Sequence, residues 1–185
     1  MAAKAKAKTK KPARKAPAKK TPVKKSARKA AQASVGSLVG KAAPAFTMPA
    51  DDGSTLSLKD LRGKPVVLYF YPKDDTTGCT AEACDFRDRM TAFKGATVIG
   101  VSKDSIKSHQ KFKAKYSLTF PLASDDSGVC EAYGVWKEKS MYGRKFMGIE
   151  RSTFIIDKDG KVRAEWRKVS VPGHAEEVKQ ALRSL

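Results

Sequence analysis

The chain reads Val-Val-Leu-Tyr-Phe-Tyr at residues 66–71 and continues Pro-Lys-Asp-Asp-Thr-Thr-Gly-Cys at residues 72–79. The first part is an unbroken apolar run between two prolines, which is typical of a strand buried on both faces, as in a parallel sheet. The second part is a polar loop, and a helical pattern begins near Cys79 and continues to about Phe93. Open α/β sheets place their sites in such loops, at the carboxyl ends of buried strands. We therefore expect the chemistry of the protein to lie in residues 72–79.

The pattern on the carboxyl side of this loop alternates strands and helices and indicates an α/β fold. A hairpin is predicted over residues 153–166, because two apolar runs flank the turn Asp-Lys-Asp-Gly at 157–160. No internal repeat is visible. The other predicted elements are a buried strand at 97–101, a helix at about 105–116, a short strand at 120–123 and an amphipathic helix at 174–185.

The amino-terminal segment differs from the rest of the chain in composition. Of the 38 Lys and Arg residues, 13 lie in residues 1–34, which contain no acidic residue; the remaining chain carries 25 basic and 19 acidic residues. Prolines recur at positions 12, 17 and 22 and would interrupt a helix. Such a segment cannot bury enough apolar surface to offset its ordering entropy. We therefore expect a disordered basic tail at 1–35 and one domain at 36–185, with residues 35–44 as a linker.

The tail leaves three alternatives open. Its basic residues, all within residues 4–29, could contact DNA non-specifically, could solubilise the protein, or could belong to an organelle transit peptide. Transit peptides are amphipathic and rich in Arg and Ser, whereas this segment is rich in Lys, Ala and Pro. No apolar run is long enough to span a membrane, and no signal-peptide pattern is present. We expect a cytoplasmic protein, which is either free in the cytoplasm or associated with the bacterial nucleoid or the eukaryotic nucleus.

The chain has three cysteines, too few to build a disulfide scaffold, and their odd number favours a reducing compartment. Cys79 falls at a helix start, where free backbone N–H groups and the helix dipole favour an anionic thiolate. Cys130 is expected in a short helix as a small buried apolar side chain. His109 and His174 are expected at the surface. Three cysteines and two scattered histidines do not supply a zinc site, so no metal is expected.

The active-site loop resembles that of a known family. Pro72, Thr76 and Cys79 fit the pattern Pro-x-x-x-Thr-x-x-Cys of the peroxiredoxins. The longer stretch 70–87 is similar to peroxiredoxin Q, also called bacterioferritin comigratory protein, and the resemblance extends over about residues 36–185. Thr77 stands where these proteins usually have proline, and the basic tail lies outside the family pattern.

The resemblance implies a thioredoxin-like fold, with a central mixed sheet flanked by helices, and a thiol-dependent peroxidase acting on hydrogen peroxide and organic hydroperoxides. It implies a peroxidatic cysteine at Cys79, a resolving cysteine at Cys84, and an intramolecular disulfide between them. Thr76 and Arg151 would position the peroxide, and Pro72 would shield the sulfur. The implied reductant is thioredoxin or a similar thiol, no cofactor is required, and we expect a monomer.

Two other functions remain to be compared with the peroxidase. A disulfide reductase of thioredoxin type would carry Cys-x-x-Cys, whereas this chain has Cys-x-x-x-x-Cys. A nucleic-acid-binding protein that uses the fold only as a platform would not need Pro72, Thr76 and Cys79 together. The enzyme and the binding function can coexist, with the tail holding a peroxidase near nucleic acid.

Overall fold

A five-stranded mixed sheet forms the centre of the computed structural model, which describes Met1 and residues 36–185. In spatial order its strands are β5 (Leu122–Ser124), β4 (Thr97–Ser102), β3 (Val66–Phe70), β8 (Ser152–Ile156) and β9 (Val162–Arg167). The central strand β3 pairs in parallel with β4 and antiparallel with β8, which confirms the predicted mixed sheet.

Strand β3 is buried along its whole length because a hydrophobic core lies on each side of it. Successive side chains of a strand point to opposite faces. Leu68 and Phe70 accordingly belong to one core, and Val67 and Tyr69 to the other. This arrangement explains why the sequence shows a continuous apolar run where a half-exposed strand would alternate.

The helices confirm the predicted α/β layout, with shifted ends. The helix expected to reach Phe93 ends at Asp88, and a short 3₁₀ helix follows at Met90–Phe93. Three of the helices contribute to the core beside Val67 and Tyr69. The helices are α1 (Thr77–Asp88), α2 (Ile106–Tyr116), α3 (Val129–Ala132) and α4 (His174–Arg183).

Two hairpins were not predicted from the sequence. The first pairs β1 (Thr47–Pro49) with β2 (Thr55–Ser57), and the second pairs β6 (Trp136–Met141) with β7 (Arg144–Ile149). The β6–β7 turn consists of two residues with positive φ, at 49° and 74°, as a tight hairpin turn requires. This hairpin matters for the site because its second strand ends two residues before Arg151.

The segment expected to be a linker is part of the fold. Leu38 is buried, and its backbone N–H donates to the Glu165 carboxylate at 2.9 Å. The backbone N–H groups of Gly40 and Ala43 donate to carbonyls of the β8–β9 hairpin. The predicted tail at residues 1–35 lies, apart from Met1, outside the described residues. Among the described residues, no helix has the length and apolarity needed to cross a membrane.

Candidate active site

Cys79 is the third residue of α1, directly after the polar loop that follows β3. Its side chain is only 2% exposed. The first-turn amides of a helix have no partner within the helix, and the positive end of the helix dipole lies there. The structure therefore places a buried sulfur where an anion is favoured.

The Arg151 guanidinium contacts this sulfur directly. Its Nη2 donates to Cys79 Sγ at 3.2 Å, and its Nη1 donates to a carboxylate oxygen of Glu82. Burial alone would lower the pKa of Arg151, but the charges of Glu82 and Cys79 raise it above its ordinary value. Arg151 thus stays charged and bridges the cysteine and the glutamate.

Gly78 provides the space for this contact. A Cβ atom built at Gly78 would lie 3.2 Å from Arg151 Nη2, which is a tight contact for a side-chain carbon. A larger residue would push the guanidinium away from the sulfur. The glycine before Cys79 therefore lets the guanidinium approach the sulfur without a shift of a few tenths of an ångström.

Glu82 is a site residue that the sequence analysis missed. It is 1% exposed, and burial raises its pKa to about 7 against the opposing effect of Arg151. Its second carboxylate oxygen has no hydrogen-bond partner within the described part of the chain. The signal was its position three residues after Cys79, because residues i and i+3 of a helix share a face.

Thr76 and Pro72 lie on the exposed side of the site. The Thr76 hydroxyl donates to the Lys73 carbonyl at 3.0 Å, and its own carbonyl accepts from the Thr80 amide at 2.8 Å as α1 begins. Pro72 lines a groove of about 340 Å³ together with Trp136, Phe146 and other residues of the β6–β7 hairpin. Thr76 thus supports the start of α1, and Pro72 borders a groove whose lining does not include Cys79.

Thr77 occupies the first position of α1. Proline is favoured at that position because the missing N–H would have no helical partner there. Thr77 therefore replaces the proline of the family pattern at the first helical position, and α1 begins there with threonine.

Cys84 lies on the same helix as Cys79, and both thiols are free. Cys84 is partly exposed. Five residues of an intact helix separate two Cα atoms by about 7.5 Å along the axis and turn them about 140° apart, whereas a disulfide needs Cα atoms within about 7 Å and converging Cβ atoms. The two cysteines cannot bond while α1 is intact.

The expectation of surface histidines was wrong for both residues. His109 is fully buried and its Nδ1 lies 2.9 Å from Asp74 Oδ2, while Tyr71 donates to the same carboxylate at 2.7 Å. Burial would raise the pKa of Asp74, but hydrogen bonds from His109, Ser108 and Tyr71 lower it. This network fixes the loop that precedes Cys79.

His174 is buried at the start of α4 and its Nε2 lies 2.7 Å from the Thr153 hydroxyl. Burial, with the nearby charge of Arg151, lowers its pKa to about 4. No local pattern indicates this burial, because the aromatic partners of His174 lie on other elements, Phe86 on α1 and Trp166 on β9.

Cys130 lies in the short helix α3 and is fully buried, as predicted. Burial, reinforced by the Asp125 carboxylate, raises the pKa of this thiol well above its ordinary value. A buried thiol of this kind is unreactive. Among the residues that the structure describes, no group of three or more His, Cys, Asp or Glu could hold a metal ion.

Comparison with known proteins identifies the family. The model of the AhpC/TSA family matches residues 39–165. Peroxiredoxin Bcp of Bacillus subtilis is 51% identical over 150 residues, which cover 80% of this chain and 96% of the relative. Peroxiredoxin Bcp of Xanthomonas campestris is 49% identical over 135 residues, covering 71% of this chain and 84% of that protein.

Solved structures agree with these relatives. A structure of the Xanthomonas campestris bacterioferritin comigratory protein, described with its alkyl peroxide reduction activity, has a TM-score of 0.72 and 46% identity and covers 75% of this chain and 90% of its own. A mutant of Xylella fastidiosa PrxQ has a TM-score of 0.74 and 41% identity. The match covers 80% of this chain and 98% of the PrxQ chain. The chain therefore belongs to the AhpC/TSA family and, within it, to the peroxiredoxin Q or bacterioferritin comigratory proteins, which makes it a thiol-dependent peroxidase.

Proposed function

We propose that Cys79 is the peroxidatic cysteine of this enzyme and that it reduces hydrogen peroxide and organic hydroperoxides. Its thiolate attacks one oxygen of the O–O bond and becomes a sulfenic acid. The other oxygen leaves with the bonding electron pair, takes a proton and departs as water or an alcohol. Sulfur is oxidised and the peroxide is reduced by two electrons.

The contact between Arg151 and the Cys79 sulfur carries this proposal. A guanidinium offers several donors in a fixed plane, and Arg151 already uses one of them on the sulfur at 3.2 Å. Donors held at this position can stabilise the negative charge that develops on the departing oxygen. Thr76 is proposed as the second positioning group, since a hydroxyl can both donate and accept, and Pro72 as a shield at the mouth of the site.

Cys84 is proposed as the resolving cysteine. Its thiol attacks the Cys79 sulfenic acid, a disulfide forms and water leaves. Because the two cysteines cannot bond on an intact helix, the first turns of α1 must unwind before this step. A dithiol protein such as thioredoxin then reduces this disulfide to two thiols and is itself oxidised to a disulfide.

Alkyl hydroperoxides are proposed as substrates beside hydrogen peroxide. The Xanthomonas campestris relative is described with alkyl peroxide reduction. In this chain the groove beside Pro72 has apolar walls, including Trp136 and Phe146, which suit the alkyl part of such a molecule. We propose a monomeric enzyme, because Cys79, Cys84 and Arg151 of one chain suffice for the reaction.

A coupled assay tests the proposed function. Peroxide consumption is followed with thioredoxin, its reductase and NADPH for the unchanged protein, for Cys79→Ser and for Cys130→Ser as the matched cysteine control. We expect Cys79→Ser to lose all measurable turnover and Cys130→Ser to retain it. Near-normal turnover in Cys79→Ser would exclude Cys79 as the nucleophile.

A second function is proposed for the tail: non-specific contact with DNA, which would hold the peroxidase near nucleic acid in the cytoplasm. The observation that favours it is the concentration of 13 basic residues and no acidic residue within residues 1–34. Such a segment attracts phosphates through counterion release and contains no aromatic side chain for stacking on bases. We therefore expect binding without sequence preference.

A further inference from the structure

The carboxyl-terminal end of α2 contacts the loop that precedes Cys79. Asp75 in this loop has a positive φ of 55°, a left-handed conformation that is uncommon outside glycine and that Asp tolerates better than most residues. Its carboxylate accepts a hydrogen bond from the Tyr116 hydroxyl at 2.6 Å and from Lys115 Nζ at 2.7 Å. The hydrogen bonds from Lys115 and Tyr116 lower the pKa of Asp75. The last turn of α2 therefore fixes the entrance to α1.

The same end of α2 also contacts the far end of α1. Arg87 Nη1 donates to the backbone carbonyl of Tyr116 at 2.5 Å. The last carbonyls of a helix have no partner within it and carry partial negative charge, so a guanidinium is a favourable partner there. Arg87 also lies one helical turn after Cys84, whose charge in the thiolate form raises the pKa of Arg87, behind the larger effect of Asp88.

Both contacts converge on a single residue. The hydroxyl of Tyr116 binds Asp75, four residues before Cys79, and its carbonyl binds Arg87, three residues after Cys84. The segment between these two anchors, residues 76–86, contains both redox cysteines. The ring of Tyr116 packs edge-on against Phe112 of α2, which is fully buried, so the anchoring residue is itself held by the core.

We propose that Tyr116 is a positioning residue that restrains both ends of the segment 76–86 and thereby sets how readily α1 unwinds. The two hydrogen bonds of Tyr116, with Asp75 and with Arg87, are called the staple below. The inference rests on the proposed function, because unwinding matters only if Cys84 must reach Cys79. With the staple intact, the ends of residues 76–86 stay at their helical separation, and unwinding gains little chain entropy. The folded helix, which holds Cys79 against Arg151, is thereby favoured over the unwound form.

The kinetic consequence falls on the second chemical step. Sulfenic acid formation uses the folded helix, which remains the major form if the staple is only weakened. Disulfide formation, in which the Cys84 thiol displaces water from the Cys79 sulfenic acid, uses the unwound form. Weakening the staple should therefore speed the second step and leave the Cys79 sulfenic acid exposed to further oxidation for a shorter time.

The test uses Tyr116→Phe, which removes the hydroxyl and keeps the ring and the backbone carbonyl, and Arg87→Gln, which removes the second anchor. Tyr142→Phe is the matched control, because Tyr142 lies at the exposed tip of the β6–β7 hairpin. Rapid mixing with hydrogen peroxide, followed by acid quench and mass analysis, separates the peroxide-dependent step from the first-order disulfide step. We expect the first-order rate to rise by about threefold to tenfold in each variant, given the strength of partly exposed hydrogen bonds to charged groups.

Hydrogen exchange of the reduced proteins gives a second readout that needs no peroxide chemistry. Amides of residues 77–86 should lose protection in Tyr116→Phe and Arg87→Gln and keep it in Tyr142→Phe. Unchanged protection in both variants, or a disulfide step that is unchanged or slower, would overturn the staple. If the unchanged protein forms no disulfide between Cys79 and Cys84, the proposed function fails instead, and the exchange data still decide whether Tyr116 restrains the helix.

Discussion

At the scale of single residues, Glu82 and Arg151 form a buried ion pair beside the Cys79 sulfur. The carboxylate holds the guanidinium on one side while the other guanidinium nitrogen faces the sulfur. A pKa of about 7 for Glu82 means that this carboxyl is charged above about pH 7 and neutral below it. The pairing is therefore complete only on the alkaline side of neutrality.

Glu82→Gln should have a pH-dependent effect on peroxide reduction. Above about pH 7 the substitution removes a charge that positions Arg151, and kcat/KM should fall by roughly tenfold, as for loss of one group that supports transition-state stabilisation. Below that pH the carboxyl of the unchanged enzyme is already neutral, so the difference should shrink. Rates measured from about pH 6 to about pH 8, with the exposed Glu138→Gln as control, check this. A ratio of rates that does not vary with pH would contradict the assignment.

The same carboxyl also affects folding stability, and the sign follows from its raised pKa. Between the ordinary value of 4.5 and about 7, the folded state binds more protons at Glu82 than the unfolded state does. The contribution of this group to stability is therefore fully present below about pH 4.5 and is lost as the pH rises through about 7. A carboxyl group that lowers the stability of the fold when it ionises is typical of a functional site, where the residue serves the chemistry and not the folding of the protein.

At the scale of elements, α1 serves two incompatible geometries. The folded helix places Cys79 against Arg151, and the proposed disulfide with Cys84 would require that the helix unwind. The loop before the helix is held by Asp74 and Asp75, through contacts with α2. Near the carboxyl-terminal end of α1, Phe86 is fully buried. Unwinding should therefore be confined to the segment between these fixed points.

Hydrogen exchange should locate this unwinding in the oxidised protein. We expect the amides of residues 77–88 to exchange much faster in the disulfide form than in the reduced form, because the helical hydrogen bonds of this segment, which begin at the Thr80 amide, are broken. The amides of α2 serve as the internal reference and should exchange alike in the two forms. Equal protection of residues 77–88 in both forms would show that the cysteines join by another route.

At the scale of the whole molecule, the basic tail should alter where the enzyme resides and not what it catalyses. If the tail contacts about six to ten phosphates, its affinity for DNA should fall by about 10³ to 10⁵ between about 50 and about 200 mM salt. Deleting residues 1–34 should abolish retention on DNA and leave peroxide turnover in free solution unchanged. Gel mobility of DNA with full-length and shortened protein checks this. No shift with the full-length protein at about 50 mM salt would leave the tail as a solubilising or targeting segment.

The sequence was sufficient for the elements with a strong local pattern. The run at 66–71 predicted β3, and the loop after it located Cys79, because burial on both faces and a helix start are local features of the chain. The resemblance to the peroxiredoxins selected Arg151, which lies 72 positions from Cys79 and has no local feature that distinguishes it from a surface arginine.

The side-chain environments that were missed depend on contacts between distant segments. His109 and His174 were expected at the surface, but they are buried against Asp74 and Thr153, so their environment is set by tertiary packing. Glu82 was not predicted as a site residue, and only the position of Arg151 shows why a carboxyl is buried there. The β6–β7 hairpin escaped prediction because charged residues occupy much of both strands.

The most direct test of the central claim is a single turnover followed by mass analysis. The fully reduced protein is mixed with one equivalent of hydrogen peroxide, free thiols are then blocked, and the peptides are mapped. We expect a loss of two hydrogens from the intact protein and a disulfide-linked pair of sites at Cys79 and Cys84, with Cys130 recovered in the blocked, reduced form. Oxidation at Cys130 or elsewhere while Cys79 remains reduced would contradict the assignment of Cys79 as the residue that attacks peroxide.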